Sequence, residues 1–366
     1  MGKKSKVDKI ILIPFVALII IGIFMVYSAS NVVAKFKYNN SFYFSNRQII
    51  YTFVGIIIST VIIKIDLIKY KKYVSIFFFI ILGLLLLVLI PGIGIVRGGA
   101  RSWLGFGSFT IQPSELMKIA IIFLLAKYLS DNEKELKKFK YFILIIILPL
   151  VVFGIIMLQP DFGTGIIIVI SSFTLIFVSH AKVRYFFLLL GICTIGFVAL
   201  IIVAPYRLER IMAFLDPWND PLGSGFQTIQ ALFAIAPSGI LGFGYNNSMQ
   251  KHFFLPEPQN DFIFAIICEE LGLIGGIIII GLFLIIIVRA IKYSIVIENK
   301  FLKYLSLGIA IALFTQTFIN IGVVIGLLPV TGITLPLISY GGTSLITSMM
   351  EISILLNISK EVEIWK

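Results

Sequence analysis

Apolar residues recur in long runs from one end of the chain to the other, separated by short stretches rich in Lys, Asn, Gly and Pro. A run of about 20 apolar residues is the length that an α-helix needs to cross a bilayer. The pattern therefore predicts an all-α polytopic integral membrane protein with ten transmembrane helices. The predicted spans are residues 11–30, 48–65, 74–91, 113–130, 141–158, 164–179, 185–203, 262–288, 304–328 and 339–358.

The longest connection, residues 204–260, joins the seventh and eighth predicted helices. Within it, Phe226, Ile229, Leu232 and Phe233 recur at helical spacing. This spacing predicts a short amphipathic helix that lies on the membrane surface. A connection of this length is usually functional or disordered, and its apolar content together with Trp218 favours an ordered element.

Composition excludes a soluble protein, because 59% of the 366 residues are hydrophobic and the mean hydropathy is +1.06. The net charge of +12 does not indicate nucleic acid as a partner here, since basic loops of a membrane protein face anionic lipid. The first apolar run is too long for a signal peptide, so we interpret it as the first span. The two cysteines lie in apolar runs, which favours neither a disulfide framework nor a metal site. We treat residues 1–366 as one transmembrane domain.

The distribution of Lys and Arg predicts the orientation, because cytoplasmic loops carry an excess of both. With the N-terminus inside, 21 of the 30 Lys and Arg residues fall in inner segments or at the inner ends of spans, and eight fall in outer segments. The remaining one, Lys118, lies in the outer half of a span. The asymmetry predicts that both termini are cytoplasmic and that the 204–260 connection is one long extracytoplasmic loop.

Ionisable residues within predicted spans are candidates for function, because a charge buried in a membrane is costly. Pro113 suits the first turn of a helix, Glu115 suits the helix dipole, and Lys118 follows three residues later on the same face. These residues predict an ion pair one turn below the outer surface. Arg101, in the preceding glycine-rich loop, could grip a phosphate with two hydrogen bonds. Interfacial anchoring by Arg101 and Trp103 is the alternative.

The remaining acids divide by depth. Asp161 lies in a short turn, where a capping role is as well supported as chemistry. Asp261 precedes the eighth span, and a partly desolvated carboxylate at that position suits a general base. Glu269 and Glu270 lie about 12–13 Å deeper, where we expect them to face the bundle interior and form hydrogen bonds. Glu351 is another mid-span acid. For each of these, pairing that serves only packing is the alternative.

Several of these residues belong to longer blocks of sequence. The blocks are GARSWLGFGSFTIQPSELMK (99–118), LQPDFGT (158–164), DPWNDPLGSGFQTIQALFAI (216–235), QKHFFLPEPQNDFIFAIICEELGLIGG (250–276) and LPVTGITLPLISYGGTS (328–344). Together, in this order and over nearly the whole chain, they resemble the SEDS family of peptidoglycan glycosyltransferases, which includes FtsW, RodA and SpoVE. The third and fourth blocks look more like the FtsW/SpoVE branch.

The resemblance implies a polymerase of lipid II, a disaccharide-pentapeptide carried on undecaprenyl pyrophosphate, in the bacterial cytoplasmic membrane with its active site on the extracytoplasmic side. It implies Asp261 as the catalytic residue. It places the family's Glu and Lys at Glu115 and Lys118. The other residues that we predict to bind substrate are Arg101, Gln112, Lys251 and Glu257, and the alternative for Glu257 is that it braces the loop above Asp261. The implied partners are a class B penicillin-binding protein and other membrane proteins of the divisome or elongasome. No cofactor is assigned, although a divalent cation (Mg or Mn) would suit a pyrophosphate leaving group.

The chemistry of the residues agrees with this activity. A lipid pyrophosphate brings its own leaving group, and Asp261 could accept the proton of an attacking sugar hydroxyl. Lys118 and Arg101 could stabilise the departing pyrophosphate. The surface helix of the long loop and the grooves between spans could hold the polyprenyl tails.

Three other functions use the same features. A lipid II flippase would need buried charges and a lipid-sized cavity, although its polar groups would be expected near the midplane. A RodA-type polymerase would act in elongation instead of division or spore wall synthesis. A scaffold that only recruits a partner synthase would tolerate replacement of Asp261 by Asn.

Overall fold

A computed structural model describes residues 7–97, 99–106, 109–179, 182–187, 191, 214–223 and 225–362. Helices make up most of these ranges. In chain order they are α1 (Lys9–Tyr38), α2 (Tyr43–Lys64), α3 (Leu67–Tyr70), α4 (Val74–Leu87), α5 (Pro113–Asn132), α6 (Phe139–Met157), α7 (Phe162–Val178), α8 (Phe226–Ile235), α9 (Ile263–Val296), α10 (Lys300–Val324) and α11 (Gly342–Ile358).

The multi-pass helical architecture is confirmed. Within the described ranges, six helical stretches are long and apolar enough to cross a membrane, and α7 is a shorter apolar helix. The six are Lys9–Tyr38, Tyr43–Lys64, Leu67–Leu87, Phe139–Met157, Ile263–Val296 and Lys300–Val324. Each predicted span inside the described ranges coincides with a helix, whereas the span predicted at 185–203 lies largely outside them. The count of ten and the sides of the termini stay predictions.

Helix α10 lies at the centre of the bundle. Its apolar window is 72% buried, more than that of any other candidate span in the described ranges. It packs against α5, α7, α9 and α11. Polar side chains on α10 therefore have neighbours on several sides.

A small antiparallel sheet departs from the all-α prediction. Its strands are β1 (Ile95–Arg97), β2 (Ala100–Phe106) and β3 (Phe109–Ile111), in the order β1-β2-β3. Arg97 pairs with Ala100, and Phe106 pairs with Phe109, so each hairpin has a two-residue connection. The sequence places Gly-Gly in the first connection and Gly-Ser in the second, and such pairs are a recognised hairpin signal.

The eighth predicted helix is broken inside the bundle. Gly272 adopts φ 66° and ψ −166° within α9, a conformation that favours glycine. The backbone N–H groups of Phe243 and Gly244 donate to the carbonyls of Glu269 and Glu270. On the other side of the break, Leu273 and Ile274 donate to the carbonyls of residues 239 and 240. Residues 239–244 thus satisfy the backbone groups that the break exposes.

Residues 325–341, between α10 and α11, enter the bundle. Leu335, Leu337 and Ile338 are fully buried in this segment. A Cβ at Gly22 of α1 would lie 2.7 Å from the carbonyl oxygen of Leu337, so the helix and the segment touch through backbone. A second close contact is at Gly342, where a Cβ would meet the Tyr51 ring at 2.6 Å.

The helix expected in the long loop is present as α8. It buries Thr228, Ile229, Ala231 and Ala234 against α9 and α10. Phe233 is exposed and contacts the ring of Trp218 edge to face, with centroids 5.8 Å apart. The short helix is therefore present, while its amphipathic contact with a membrane surface stays a prediction.

Candidate active site

The predicted ion pair at the start of α5 is formed. Lys118 Nζ lies 2.8 Å from Glu115 Oε2, and both side chains are buried. Gln112 is the N-cap and Pro113 is the first helical residue, so Glu115 lies in the first turn. There the helix dipole stabilises its negative charge. The sequence spacing alone brings these two charges together.

Two other helices supply polar partners to this pair. Lys118 Nζ donates to Gln316 Oε1 of α10 at 2.6 Å. Thr347 Oγ1 of α11 donates to Glu115 Oε2 at 3.1 Å. These bonds offset part of the cost of removing both charges from water. We call Glu115, Lys118, Gln316, Thr347 and Glu351 the lysine cluster, because Glu351 lies one helical turn beyond Thr347 and interacts electrostatically with both charges of the pair.

Helix α10 links the lysine cluster to Asp261. Gln316 and Asn320 are four residues apart, so they share a face and are separated by about 6 Å along the axis. The Gln316 amide donates to the Thr334 carbonyl at 3.0 Å. The Asn320 amide donates to the carbonyls of Asp261 and Ile333, both at 2.7 Å. One turn of α10 therefore contacts Lys118 at one end, through Gln316, and the Asp261 backbone at the other end, through Asn320.

The Asp261 carboxyl lies in the turn just before α9. Burial raises its pKa to about 6, and the nearby negative charge of Glu257 adds to this, against a hydrogen bond from its own backbone that lowers it. The adjacent backbone is fixed, since Tyr340 N–H donates to the Gln259 carbonyl at 2.8 Å. A carboxylate with this pKa is largely ionised at neutral pH and is still basic enough to accept a proton.

Glu257 belongs to a tight turn above Asp261. It is exposed and has a φ of 43°. Asn260 Nδ2 donates to Glu257 Oε2 at 2.7 Å, and Asn260 N–H donates to the Glu257 carbonyl at 3.0 Å. These contacts support a role in bracing the turn, and a direct role in binding substrate stays a prediction.

Gln112 and Asp161 are joined. Asp161 Oδ2 accepts from Gln112 Nε2 and from Ser114 Oγ, both at 2.9 Å. Asp161 Oδ1 accepts from Thr164 N–H at 3.2 Å at the start of α7. The capping interpretation of Asp161 is therefore confirmed. Gln112 uses its amide to tie α5 to α7, and its contact with substrate stays a prediction.

Arg101 lies on β2 and is partly buried. Its Nη1 donates to the Leu89 carbonyl at a long 3.4 Å. The sheet reaches the start of α5 through Thr343 of α11, which accepts from the Gln112 N–H at 3.1 Å and donates to the Thr110 carbonyl at 3.4 Å. The structure places Arg101 near this end of the bundle, and its grip on a phosphate stays a prediction.

Glu269 and Glu270 form hydrogen bonds inside the bundle, as expected. Glu269 accepts from Ser248 Oγ at 2.5 Å and from the backbone N–H groups of residues 249 and 250. Glu270 accepts from Ser28 Oγ at 2.5 Å and from the backbone N–H groups of residues 246 and 248. We call this the loop brace, because the two acids hold residues 246–250 against α1 and α9.

Lys251 is part of the loop brace. Its Nζ donates to the Asn246 carbonyl at 2.6 Å, to Asn246 Oδ1 at 2.7 Å and to Glu270 Oε1 at 3.4 Å. The side chain is 2% exposed, and burial lowers the pKa of Lys251 although Glu270 acts in the opposite direction. The hydrogen bonds account for this lysine structurally, so its assignment to substrate binding stays a prediction without a contact that supports it.

Gln316 and Asn320 are the positioning residues that the sequence reasoning missed. Their signal was present, because two amide side chains four residues apart inside the apolar run FTQTFINIG lie on one helix face. Polar residues at such positions usually face the bundle interior. Attention to charged residues alone overlooks them.

An apolar cavity of about 400 Å³ lies between α7 and α10. Its lining is Phe162, Ile166, Ile170, Phe314, Thr315, Phe318, Ile319, Leu328, Pro329 and Thr331. Thr315 and Ile319 directly precede Gln316 and Asn320. One helix therefore separates an apolar cavity from a polar site.

In the part of the chain that the structure describes, no three side chains of His, Cys, Asp or Glu lie close enough together to bind a metal ion.

The chain is similar over nearly its whole length to known proteins. The FtsW/RodA/SpoVE family model, described as "Cell cycle protein", matches residues 8–364. Stage V sporulation protein E of Bacillus subtilis is 46% identical over 359 residues, covering 98% of each chain. A probable peptidoglycan glycosyltransferase FtsW of Geobacter metallireducens is 40% identical, covering 98% of this chain and 96% of the relative.

Two solved structures share the fold. A chain from a structure described as "Structural coordination of polymerization and crosslinking by a peptidoglycan synthase complex" matches with a TM-score of 0.80 and 28% identity, covering 98% of this chain and 99% of that one. The rod shape determining protein RodA of Thermus thermophilus matches with a TM-score of 0.71 and 23% identity, covering 98% of both chains. At that identity the second likeness shows the fold alone.

Proposed function

The chain belongs to the FtsW/RodA/SpoVE family, and on that premise we propose that it is a peptidoglycan glycosyltransferase that polymerises lipid II. The observation that carries the proposal is the Asp261 carboxyl. Its backbone is held by Asn320, and burial raises its pKa to about 6. One turn of α10 connects it to a buried lysine, which suits a reaction that releases a negatively charged group.

The reaction forms one bond and breaks another at the anomeric carbon of the donor sugar. A hydroxyl of the acceptor sugar attacks this carbon, and its proton passes to Asp261. The bond to the pyrophosphate breaks, and undecaprenyl pyrophosphate leaves with the electron pair. Attack opposite the leaving group inverts the α-linkage to β. Proton, electron pair and leaving group are thus all accounted for.

Lys118 is the group that we assign to the departing charge. A buried ammonium held by Glu115 and Gln316 is pre-oriented, and pre-oriented charges stabilise developing charge without reorganisation. Arg101 joins it in this proposal by contacting a phosphate. Glu115 acts by holding Lys118.

The apolar cavity between α7 and α10 suits a polyprenyl tail. Its lining contributes almost only carbon atoms, and the lining residues Thr315 and Ile319 directly precede Gln316 and Asn320 on α10. A lipid whose tail occupies the cavity could therefore place its polar head beside the lysine cluster.

We place the reaction on the extracytoplasmic side of the bacterial cytoplasmic membrane, because the excess of Lys and Arg predicts that the other face is cytoplasmic. A class B penicillin-binding protein is the proposed partner, supported by the likeness to a chain of a peptidoglycan synthase complex. The relatives named FtsW and stage V sporulation protein E support a role in division or spore wall synthesis.

The test uses purified chain in liposomes, labelled lipid II and a matching class B penicillin-binding protein. We expect glycan polymer on gels, digestible by a muramidase. A sample without this chain controls for polymerisation by the partner. Movement of lipid II across the bilayer without polymer would instead identify a flippase and overturn the proposal. Absence of both would leave the scaffold function.

A further inference from the structure

Glu351 is a buried acid that the proposed reaction has not used. Its side chain is 1% exposed, and its Oε1 has no hydrogen-bond partner within the described residues. A buried polar atom without a partner costs free energy, and a buried unpaired charge costs more. An acid at such a position therefore calls for a specific neighbour.

Lys118 is the neighbour that fits. An ammonium has three N–H donors, and in the described part of the chain Lys118 uses one on Glu115 and one on Gln316. Glu351 interacts electrostatically with Lys118 and with Glu115. The site thus contains one cation, two carboxylates and one N–H donor still available.

The helix geometry places Glu351 level with the stem of Lys118. Thr347 of α11 contacts Glu115 of α5. Glu351 lies one turn beyond Thr347, and Lys118 lies about one turn beyond Glu115. The two helices run in the same direction from this contact, so the second acid lies beside the lysine one turn further along.

We propose that Glu351 is a positioning residue that shares Lys118 with Glu115 and fixes the direction of its ammonium. Glu115 and Gln316 hold the ammonium, and Glu351 attracts it from α11. The pairing of Glu351 with Lys118 does not depend on the proposed function. Only its consequence, that Glu351 acts on turnover through Lys118, rests on that function.

The first test measures the coupling by thermal unfolding and needs no activity. In wild type, Glu351→Gln removes the cost of burying a charge and also the attraction to Lys118. In Lys118→Met there is no attraction to lose, and the change also relieves repulsion between two carboxylates. We therefore expect the Tm change caused by Glu351→Gln to be more positive in Lys118→Met than in wild type, by about 4 °C. Ser353→Ala, a buried change on the same helix, should give the same small shift in both backgrounds.

A Tm change for Glu351→Gln that is equal in both backgrounds, or more positive in wild type, would overturn the pairing. If Lys118→Met does not fold, Glu115→Gln replaces it as the second background. There Glu351 is the one carboxylate left in the lysine cluster, so the Tm change caused by Glu351→Gln should be more negative than it is in wild type. An equal or smaller effect would again overturn the pairing.

The second test measures polymerisation of lipid II. Glu351→Gln should lower kcat about tenfold and leave KM within twofold, because a misdirected Lys118 weakens stabilisation of the leaving group and not binding of the lipid. An unchanged kcat would overturn the positioning role. Wild type that makes no polymer would defeat the proposed function, while the thermal comparison would still decide whether Glu351 and Lys118 are coupled.

Discussion

The acids between residues 257 and 270 divide into two regions that differ in how they are satisfied. In the loop brace, Glu269 and Glu270 each accept hydrogen bonds from backbone and from a serine. Asp261, nine residues before Glu270, hydrogen-bonds its own backbone, and its pKa is raised by burial. A carboxylate whose oxygens accept several hydrogen bonds from the protein holds structure, whereas a carboxylate that can still accept a proton is suited to chemistry.

Replacing Asp261 by Asn tests the chemical side of this comparison and should have the largest effect. The amide cannot accept a proton, so the rate of lipid II polymerisation should fall by about 10²–10⁴-fold. The shape is retained, and the cost of burying a charge is removed, so Tm should be equal or higher. Polymerisation gels and thermal melts measure the two quantities.

The matched control for Asp261→Asn is Asp66→Asn, at an N-cap before α3. It removes the same charge at a position outside the proposed site, and polymerisation should stay within about twofold of wild type. Retained polymerisation by Asp261→Asn would exclude Asp261 as the base and would favour the scaffold.

Replacing Glu270 by Ala tests the structural side. The change leaves the N–H groups of Asn246 and Ser248 and the ammonium of Lys251 without their buried acceptor. Breaking a buried charged pair costs about 3–5 kcal/mol. We expect a lower Tm and faster proteolysis within residues 246–251. Loss of polymerisation at unchanged Tm would show that the brace takes part in chemistry.

The features that could be predicted from sequence are those set by short spacing. Glu115 and Lys118 are three residues apart, Asp161 directly precedes an apolar helix, and α8 has a helical period of apolar residues. In each case the residues that interact belong to one element or to its end. The two Gly-containing hairpins of the sheet carried the same kind of local signal.

The features that could not be predicted depend on contacts between distant segments. The pairing of Lys251 with Glu270 needs the loop to fold back over α9. The break at Gly272 looks tolerable in an apolar run, and it is stable because residues 239–244 satisfy its backbone groups. The burial of Leu337 depends on the contact of residues 325–341 with α1. Periodicity along the chain carries no record of these partners.

Asn320 has a structural role at the reactive acid. Its amide donates to the backbone carbonyl of Asp261 and not to the carboxyl. Asn320→Ala removes the donor to the carbonyls of Asp261 and Ile333. We expect kcat to fall about tenfold, since small misplacement of a reacting group is costly. Thr317→Val is the control, because the Thr317 hydroxyl forms no hydrogen bond within the described residues. Equal kcat for both variants would contradict the assignment.

Glu257→Gln should have the smallest effect and defines the reactive acid most sharply. Asp261 is active as a base when it is ionised, so kcat/KM should rise with pH through about 6. The negative charge of Glu257 opposes this ionisation. Its removal should lower the pKa of Asp261 and move the acidic limb of the profile to lower pH. The shift should be less than about one unit, because burial is the larger cause.

The control for this profile is Glu135→Gln, which removes an acid that pairs with Lys138 far along the sequence from the proposed site and should leave the acidic limb in place. Gln at position 257 keeps an oxygen that can accept the hydrogen bond from Asn260, so the turn should be preserved and the charge alone tested. An acidic limb that stays at the same pH in Glu257→Gln would mean that the group titrating near 6 is not Asp261. A limb that moves to higher pH would mean that Glu257 acts by orienting Asp261 and not by its charge.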